Sequence, residues 1–357
     1  MKKILLFAAS AALLFACNKV APVQGGEGNI APEAARLRVN IAASGSSRAT
    51  VADETNEAKV NKIEVLVFRD GALDGYGVKS DFSVNPDLVV DVDCSKGTRN
   101  IWAVINSDMT LSGITTETDL RALVSQLKNN VGSSSLDNFV MLGSIANQDV
   151  TGSSSINMYV DRIVARVWVK RITKNFSSAA LQAATFSVGR IYLTNVVNRF
   201  DLGGTFVPDA TSAYWYNRMG YDDTAAQVAE KDALILRTGP GTIASATDIA
   251  VSGAMYPYPN PTASTLVDGK YVGPEAGDWS IRPTRLVVEA TVGGTLYYYP
   301  ITLPVLEKNH SYEIPNLIIT RPGSDNPDIP VDGVSAGFTI VVNDWEQVLF
   351  AGESFTI

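Results

Sequence analysis

The residues that usually carry enzyme chemistry are scarce in this 357-residue chain. It has one histidine, His310, and two cysteines, Cys17 and Cys94. A single imidazole cannot build a histidine metal cage, and it makes a Ser-His-Asp or Cys-His pair implausible. Asp and Glu total 37, but no spacing singles out a catalytic pair. No glycine-rich phosphate loop follows a strand and opens a helix.

The sequence therefore predicts no enzyme, no metal and no cofactor. We expect Cys94 to be a small apolar strand residue and His310 to be a structural turn residue.

The charge balance excludes a second class of function. The formal net charge is −8 and the pI is about 4.8, so nothing supplies the basic stripe that phosphate binding needs. Hydrophobic residues make up 46% and charged residues 18% of the chain, values typical of neither a disordered nor a membrane-embedded protein. We expect a surface protein with no nucleic-acid partner.

Cys17 stands at the end of a segment built like a bacterial export signal. Two lysines precede an apolar run at residues 4–15, and residues 14–17 (LFAC) resemble a lipobox. The pattern predicts that residues 1–17 are a signal ending in an acylated Cys17, so that the only membrane contact is through the lipid. The alternative is a plain signal that is cleaved near Ala16.

A single arginine, Arg48, follows the first predicted strand in a polar loop. Leu37, Val39 and Ile41 alternate with polar residues, the period-two pattern of a strand with one buried face. Residues 18–48 are thus predicted to be a tether followed by this strand. Cleavage by a trypsin-like protease at Arg48 would free the strand and leave an apolar slot for another chain's strand. The alternative is that Arg48 is one solvated loop residue and the strand stays in place.

Short strands separated by turn residues dominate the rest of the chain, with one helix predicted at residues 116–127. This pattern predicts a mainly β fold of two antiparallel β-sandwich domains, at residues 49–160 and 161–342, with the helix in the first. A hairpin is expected around Gly293-Gly294, and a long insertion fills residues 208–260. The other predicted strands are 63–68, 88–92, 100–105, 139–142, 156–160, 162–172, 186–197, 205–206, 286–290, 295–303, 310–319 and 337–342.

Aromatic residues cluster at three places, residues 214–216, 256–258 and 297–299. Exposed on one surface, such side chains could form a platform for sugars. The alternative is that they are strand-pairing or interface residues, as aromatic residues in β proteins commonly are.

The order of several motifs resembles one known family. These motifs, read after the lipobox, the first strand and its arginine, are residues 59–68 with Asp70-Gly71, residues 195–203 (NVVNRFDLG), residues 307–312 (EKNHSY), Pro322-Gly323, Asn326-Pro327 and Asp344-Trp345. Together they resemble the FimA-type major fimbrilins, the Bacteroidetes-type or type V pilins. The resemblance covers nearly the whole chain.

The resemblance implies a shaft subunit with transthyretin-like sandwiches, exported as an outer-membrane lipoprotein and then built into an extracellular fimbrium. An Arg-specific protease would cut between Arg48 and Ala49, so that lipid and first strand leave together. Copies of the chain would polymerise by donor-strand exchange, with anchor and tip subunits, and possible host glycans or proteins, as further partners in adhesion.

The strand donor that the resemblance implies is a C-terminal extension, residues 343–357. Its donor residues would be Val348, Leu349, Phe350, Phe355 and Ile357. Alternatively, the tail is the last strand of the second domain. A different function also stays open, a surface lipoprotein that keeps its first strand and binds a glycan or a host protein without polymerising.

Overall fold

Strands account for most of the regular structure, as the alternating sequence patterns predict. The computed structural model describes residues 32–43, 50–51, 57–83, 87–127, 138–210, 214–218, 236–243, 248–263, 265–267, 270–272, 281–329, 336–337 and 339–345. Within these ranges no helix has the length and apolar character needed to cross a bilayer. The prediction of a mainly β fold is confirmed.

Twenty-five strands and two short helices follow one another along the described residues. The strands are β1 (Ala34–Ala43), β2 (Thr50–Val51), β3 (Ile63–Arg69), β4 (Ala72–Lys79), β5 (Val89–Ser95), β6 (Gly97–Ile105), β7 (Val124–Gln126), β8 (Met141–Val150), β9 (Ser153–Arg162), β10 (Arg166–Val169), β11 (Arg171–Lys174), β12 (Phe186–Thr194), β13 (Val196–Val197), β14 (Arg199–Asp201), β15 (Trp215–Tyr216), β16 (Leu236–Ile243), β17 (Asp248–Ala250), β18 (Thr265–Val267), β19 (Lys270–Val272), β20 (Arg285–Val292), β21 (Thr295–Thr302), β22 (His310–Ile314), β23 (Leu317–Ile319), β24 (Ala336–Gly337) and β25 (Val341–Trp345). The helices are α1 (Glu117–Ala122) and α2 (Ala179–Ala183).

The first half of the chain builds a seven-stranded sheet in the order β4-β3-β6-β8-β9-β1-β5. The first strand thus lies inside the sheet, between β9 and β5. The two end strands, β4 and β5, also pack together. A Cβ added at Gly75 of β4 would lie 2.6 Å from the Asp93 carbonyl oxygen, so only glycine permits this approach.

Three four-stranded sheets form most of the second half, in the orders β10-β22-β25-β2, β17-β11-β23-β24 and β16-β12-β20-β21. Most pairs are antiparallel, but β1 runs parallel to β9, β2 to β25, β10 to β22 and β11 to β23. The prediction of purely antiparallel sheets is therefore wrong. Strands that are far apart in sequence have connections long enough for parallel pairing, and local turn residues do not report such pairs.

The predicted hairpin around Gly293-Gly294 is confirmed. Val292 of β20 pairs with Thr295 of β21, and the two glycines have φ of 56° and 92°. A two-residue turn of this hand requires positive φ at both positions, which glycine adopts without steric cost.

The predicted helix at residues 116–127 is shorter than expected. α1 begins after Thr116, whose hydroxyl accepts a hydrogen bond from the Asp119 amide at 3.1 Å. Residues Val124–Gln126 form β7 instead and pair with β14. Leu127 is buried, as the helical spacing also predicts, so the spacing could not reveal that strand pairing outweighs helix propensity at residues 124–126. The sequence pattern also gave no indication of the second short helix, α2.

Residues 162–172, which were predicted to be one alternating strand, are divided between the end of β9, β10 and β11. Both faces of this stretch are buried in its first half. Arg162 and Arg166 are 0% exposed, although alternation would place them on a solvated face. All described residues from Glu33 onward lie in one compact unit, Glu33–Ile357; the predicted division near residue 160 stays a prediction.

Candidate functional site

The first strand, β1, is paired along both of its edges. Residues Ala34–Asn40 pair with β5 in antiparallel register, and residues Arg36–Ala43 pair with β9 in parallel register. An interior strand of this kind shares its backbone hydrogen bonds with two neighbours. Its removal would therefore leave two facing rows of open backbone groups, on β5 and on β9, with a slot between them.

The inner face of β1 is apolar, as the sequence predicts. Leu37 and Val39 are 0% exposed and Ile41 is 6% exposed, and all three belong to the main hydrophobic core. Their neighbours in register include Val90 and Val92 on β5. Burying three such side chains contributes about 5–9 kcal/mol relative to exposing them, so the first strand is an integral part of this core.

The outer face of β1 is polar and contacts the flanking strands through charges. Arg38 donates from Nε to one Asp91 carboxylate oxygen at 2.9 Å and from Nη2 to the other at 3.2 Å. Arg36 Nη2 also reaches Asp91, at 3.3 Å, and Arg36 Nη1 lies 3.8 Å from Asp93. Hydrogen bonds from Arg38 hold the pKa of Asp91 below its usual range, against the opposing effect of burial. The predicted strand thus carries two arginines that both contact one carboxylate of β5.

At the other edge of β1, Asn40 connects the strand to β9. Its Nδ2 lies 3.2 Å from Ser155 Oγ, 3.2 Å from the Ile156 carbonyl and 3.1 Å from Asn157 Oδ1. The two walls of the slot therefore differ, because the β5 wall presents carboxylates and the β9 wall presents hydroxyl and amide groups. Polar complementarity fixes which way an occupant of the slot faces.

The segment that contains Arg48 connects two different sheets. β1 ends at Ala43 in the seven-stranded sheet, whereas β2, at Thr50–Val51, pairs with β25 in another sheet. Arg48 and Ala49 themselves lie outside the described residues. Cleavage between them stays a prediction, and the elements on either side belong to separate sheets, so the two ends are held independently.

Behind the linker, Glu57 anchors the chain in a buried charge cluster. Glu57 and Arg166 are both 0% exposed, and Arg166 Nη1 donates to Glu57 Oε2 at 2.9 Å. The Tyr256 hydroxyl donates to Glu57 Oε1 at 2.6 Å, and Arg162 Nε donates to the Glu57 carbonyl at 3.1 Å. Sequence reasoning missed this cluster; two arginines four residues apart in an otherwise apolar strand pattern were the indication that a buried acid must exist elsewhere.

The last described strand, β25, is intramolecular. It pairs with β22 through Val341–Asp344, and its end pairs with β2. Intramolecular pairing thus includes residues 343–345, at the start of the predicted extension. The predicted donor residues all lie outside the described part of the chain, namely Val348, Leu349, Phe350, Phe355 and Ile357.

The lone histidine and the thiol have structural surroundings. His310 lies on β22, where Nε2 is 3.2 Å from Asp344 Oδ1 and Nδ1 is 2.9 Å from the Lys308 carbonyl. Cys94 lies in β5 opposite Ala35, and burial raises the pKa of its thiol to about 11, which makes it a poor nucleophile. Among the described residues, no group of three or more His, Cys, Asp and Glu side chains is arranged to hold a metal ion.

The aromatic clusters do not assemble into an exposed platform. Trp215 is 3% exposed, and Tyr256, Tyr258 and Tyr299 are 0% exposed. Tyr256 packs against Phe139 with ring centroids 4.8 Å apart. These rings form part of the core, so the interpretation as packing residues holds for the members of each cluster that are buried.

Comparison with known proteins gives a family match and several structural relatives. Residues 35–179 match the model of the family described as major fimbrial subunit protein (FimA). No curated protein matches the sequence significantly.

The structural relatives share the fold over most of the chain. A protein described as a cell adhesion protein from Bacteroides eggerthii superposes with a TM-score of 0.61 at 19% identity, covering 89% of this chain and 98% of the other. The fimbrilin FimA from Porphyromonas gingivalis gives 0.59 at 15% identity, with 87% and 98% covered. The tip fimbrial protein Mfa3 from Porphyromonas gingivalis, with a C-terminal truncation, gives 0.52 at 14% identity, with 87% and 100% covered.

The family match spans the first strand, its two neighbours in the sheet and the rest of the seven-stranded sheet. The structural relatives extend the same fold through the second half of the chain. The resemblance found in the sequence is confirmed for residues 35–179. Over residues 35–179, this chain is similar to the family of FimA major fimbrial subunit proteins.

Proposed function

We propose that this chain is a shaft subunit of a surface fimbria that polymerises by exchanging its first strand for the tail of a neighbouring copy. It is exported as an outer-membrane lipoprotein through Cys17 and is cut between Arg48 and Ala49 by an Arg-specific protease. Lipid, tether and β1 leave as one piece when the tail of the neighbouring copy replaces β1. The donor is the extension that ends at Ile357, and the body consists of two transthyretin-like sandwiches.

The observation that carries the proposal is the interior position of β1. A strand with Leu37, Val39 and Ile41 buried and with neighbours on both edges cannot leave without exposing core and two open sheet edges. A subunit in that state gains strongly from any strand that fills the slot. Loss of an edge strand would open only one sheet edge, so the free energy gained when a donor strand binds would be smaller.

The tail has the composition of a replacement strand. Leu349, Phe355 and Ile357 stand at odd-numbered positions, as Leu37, Val39 and Ile41 do, so that an extended tail places them on one face. Burying them would contribute about 5–9 kcal/mol before ordering costs. While β1 is covalently attached it competes at high effective concentration, so cleavage is the step that permits exchange.

The cut leaves a defined new N-terminal region. β2 pairs with β25, and Glu57 is locked to Arg166 and Tyr256. These contacts hold the chain beyond Ala49 in place, so loss of structure is confined to β1 and the linker. The acceptor is thereby ready for a donor without refolding elsewhere.

The experiment compares processing and assembly of three forms of the full chain. Wild type treated with an Arg-specific protease should give ladders of polymer on non-dissociating gels. Arg48→Ala should stay an uncut, lipid-bearing monomer, while the control Arg321→Ala, which removes an exposed arginine outside the strands, should polymerise like wild type. Polymer ladders from Arg48→Ala would contradict the proposal.

A deletion of residues 348–357 tests the donor. The truncated chain should fold, be cut normally and remain monomeric, because the acceptor slot is present and the donor strand is missing. If it polymerised as wild type does, the tail would not be the donor. The second candidate, a monomeric surface lipoprotein that binds a glycan or host protein, predicts that neither change alters the oligomeric state.

A further inference from the structure

The slot between β5 and β9 has one charged wall. On the outer face of β5, Asp91 and Asp93 project beside β1, and the facing positions of β9 are the neutral Ser155 and Asn157. Asp91 is contacted by both Arg36 and Arg38. Three charged groups thus form a ladder along one edge of the strand.

The first strand matches this wall, and the tail does not. Residues 36–40 read Arg-Leu-Arg-Val-Asn, which places a cation beside each carboxylate of β5 and an amide toward β9. Residues 346–357 contain Glu346 and Glu353 and have no Lys or Arg. Any register of the tail in the slot leaves Asp91 without a cation on the incoming strand.

We propose that Asp91 makes the slot selective for a strand in which apolar residues alternate with arginines, so that the cut first strand stays bound as a non-covalent plug. Displacement by the acidic tail of a second copy then has to overcome the loss of the Arg36 and Arg38 contacts. This inference rests on the proposed function, and it assigns to that site the feature that delays exchange after cleavage.

The solvent exposure of Arg36, Arg38 and Asp91 indicates that their ion pairs have a modest, salt-dependent effect on the binding of the cut strand. The side chains of Arg36 and Arg38 are 62% and 58% exposed, and that of Asp91 is 26% exposed. Ion pairs this close to solvent are weak individually and are screened by salt. The ion pairs therefore tune the rate at which the cut strand is exchanged. The apolar face of β1 supplies most of its affinity for the slot.

The test follows release of the plug from the cut full chain. Wild type, Asp91→Asn and the control Asp248→Asn are cut at residue 48, and dissociation of the fragment is measured by size exclusion and mass spectrometry. Asp248 forms an exposed pair with Arg171 at 2.9 Å, far from the slot in sequence and on another sheet. Asp91→Asn should release the fragment about 3- to 10-fold faster at low salt, with the difference reduced at high salt. Asp248→Asn should match wild type.

A second variant guards against an indirect effect on folding. Arg36→Gln with Arg38→Gln leaves β5 untouched and should accelerate release to a similar extent. Combining it with Asp91→Asn should add little, because the same contacts are lost. A synthetic peptide of residues 33–48 should slow polymer growth, and the same peptide with both arginines replaced by glutamine should do so several-fold less.

Equal release rates for wild type and Asp91→Asn, or equal competition by the two peptides, would overturn the inference. Release is measured also on the cut chain that lacks residues 348–357, which should not polymerise, so the result separates this inference from the proposed function. Asp91-dependent release with no polymer from wild type would count against strand exchange and not against selectivity of the slot.

Discussion

At the scale of single residues, the most informative group is a carboxylate with no exposed surface. Glu57 carries a negative charge into the interior, where Arg166 and the Tyr256 hydroxyl bind its two oxygens. A buried pair of this kind is costly to break, because the remaining charge is left without compensation. Its position nine residues beyond Arg48 makes it the first firm side-chain anchor of the described chain after the predicted cut.

We predict that Glu57→Gln lowers the free energy of unfolding by at most about 3–5 kcal/mol, since the buried Arg166 guanidinium loses its nearer counter-charge and keeps only Glu313, at 3.6 Å. Urea unfolding of the uncut chain measures this change. The matched control is Asp248→Asn, which breaks an exposed pair with Arg171 and should cost less than about 1 kcal/mol. Equal effects of the two substitutions would show that the cluster does not anchor the chain.

The reactivity of the Cys94 thiol indicates whether the first strand is in place. It lies on the inward side of β5 beside Ala35 and packs against the core, and burial raises the pKa of its thiol to about 11. Loss of β1 would uncover the thiol and allow its pKa to fall toward about 8.5.

We therefore predict slow alkylation of Cys94 by iodoacetamide at pH 8 in the uncut chain, and alkylation about tenfold or more faster once β1 has left. The rate is measured by mass spectrometry on trimmed subunits separated from their fragment. Cys94→Ser should show no incorporation in trimmed protein, because the other cysteine, Cys17, has been removed. An unchanged rate would mean that the slot does not open at its β5 wall.

At the scale of elements, β1 belongs to the core of the unprocessed subunit and, on our proposal, not to that of the assembled one. Val92 of β5 is buried beside β1 in the unprocessed subunit, and on our proposal it lines the slot in the assembled subunit as well. Leu37 of β1 lies directly opposite Val92 in the β1–β5 register. Substitutions in the two strands should therefore affect the two states differently.

Leu37→Ala should lower the free energy of unfolding of the uncut chain by about 2–5 kcal/mol through the cavity that it creates, and it should leave the stability of the polymer unchanged. Val92→Ala is the control and should weaken both states. Denaturant stability of uncut monomer and of purified polymer provides the comparison. If Leu37→Ala weakened the polymer as much as the monomer, β1 would still be present in it.

The first strand also shows what the sequence could and could not predict. Alternation of Leu37, Val39 and Ile41 predicted a strand and its buried face correctly, because the side-chain period of a strand is fixed at two. It could not predict the neighbours, since β5 and β9 are distant in sequence and pairing depends on the whole fold. The end of α1 was misjudged for a related reason, because the partner of β7 lies in β14.

Charged residues in apolar patterns were the second gap in the prediction. Alternation in the first strand predicts that its polar residues lie opposite the buried face, but it does not predict that Arg36 and Arg38 share the partner Asp91 in β5. Arg162 and Arg166 alternate with apolar residues in the predicted strand 162–172, yet both are fully buried. A buried arginine requires an acid that only the tertiary structure supplies.

At the scale of the whole molecule, the segment between Ala43 and Thr50 connects β1, which we propose is removable, to the rest of the chain. β1 is part of the seven-stranded sheet, and β2 joins the sheet of β22 and β25. The body is held by its own sheets and by the Glu57 cluster, so it does not depend on the linker. On our proposal, this arrangement permits a single cut to convert a self-contained subunit into an acceptor.

The pairing of β2 with β25 brings the segment after the predicted cut close to the segment before the predicted donor. β2 and β25 are parallel neighbours, so the residues that follow the predicted cut lie beside the strand that precedes the predicted donor. A subunit would then hold its new N-terminal region and the base of its tail in one sheet. Each copy can therefore act as an acceptor through its slot and as a donor through its tail.

The N-terminal sequence of subunits extracted from purified polymer tests the central claim most directly. The account predicts a single start at Ala49, with neither Cys17 nor the β1 peptide present in the polymer. A polymer whose subunits still began at an acylated Cys17 and retained residues 34–43 would contradict it.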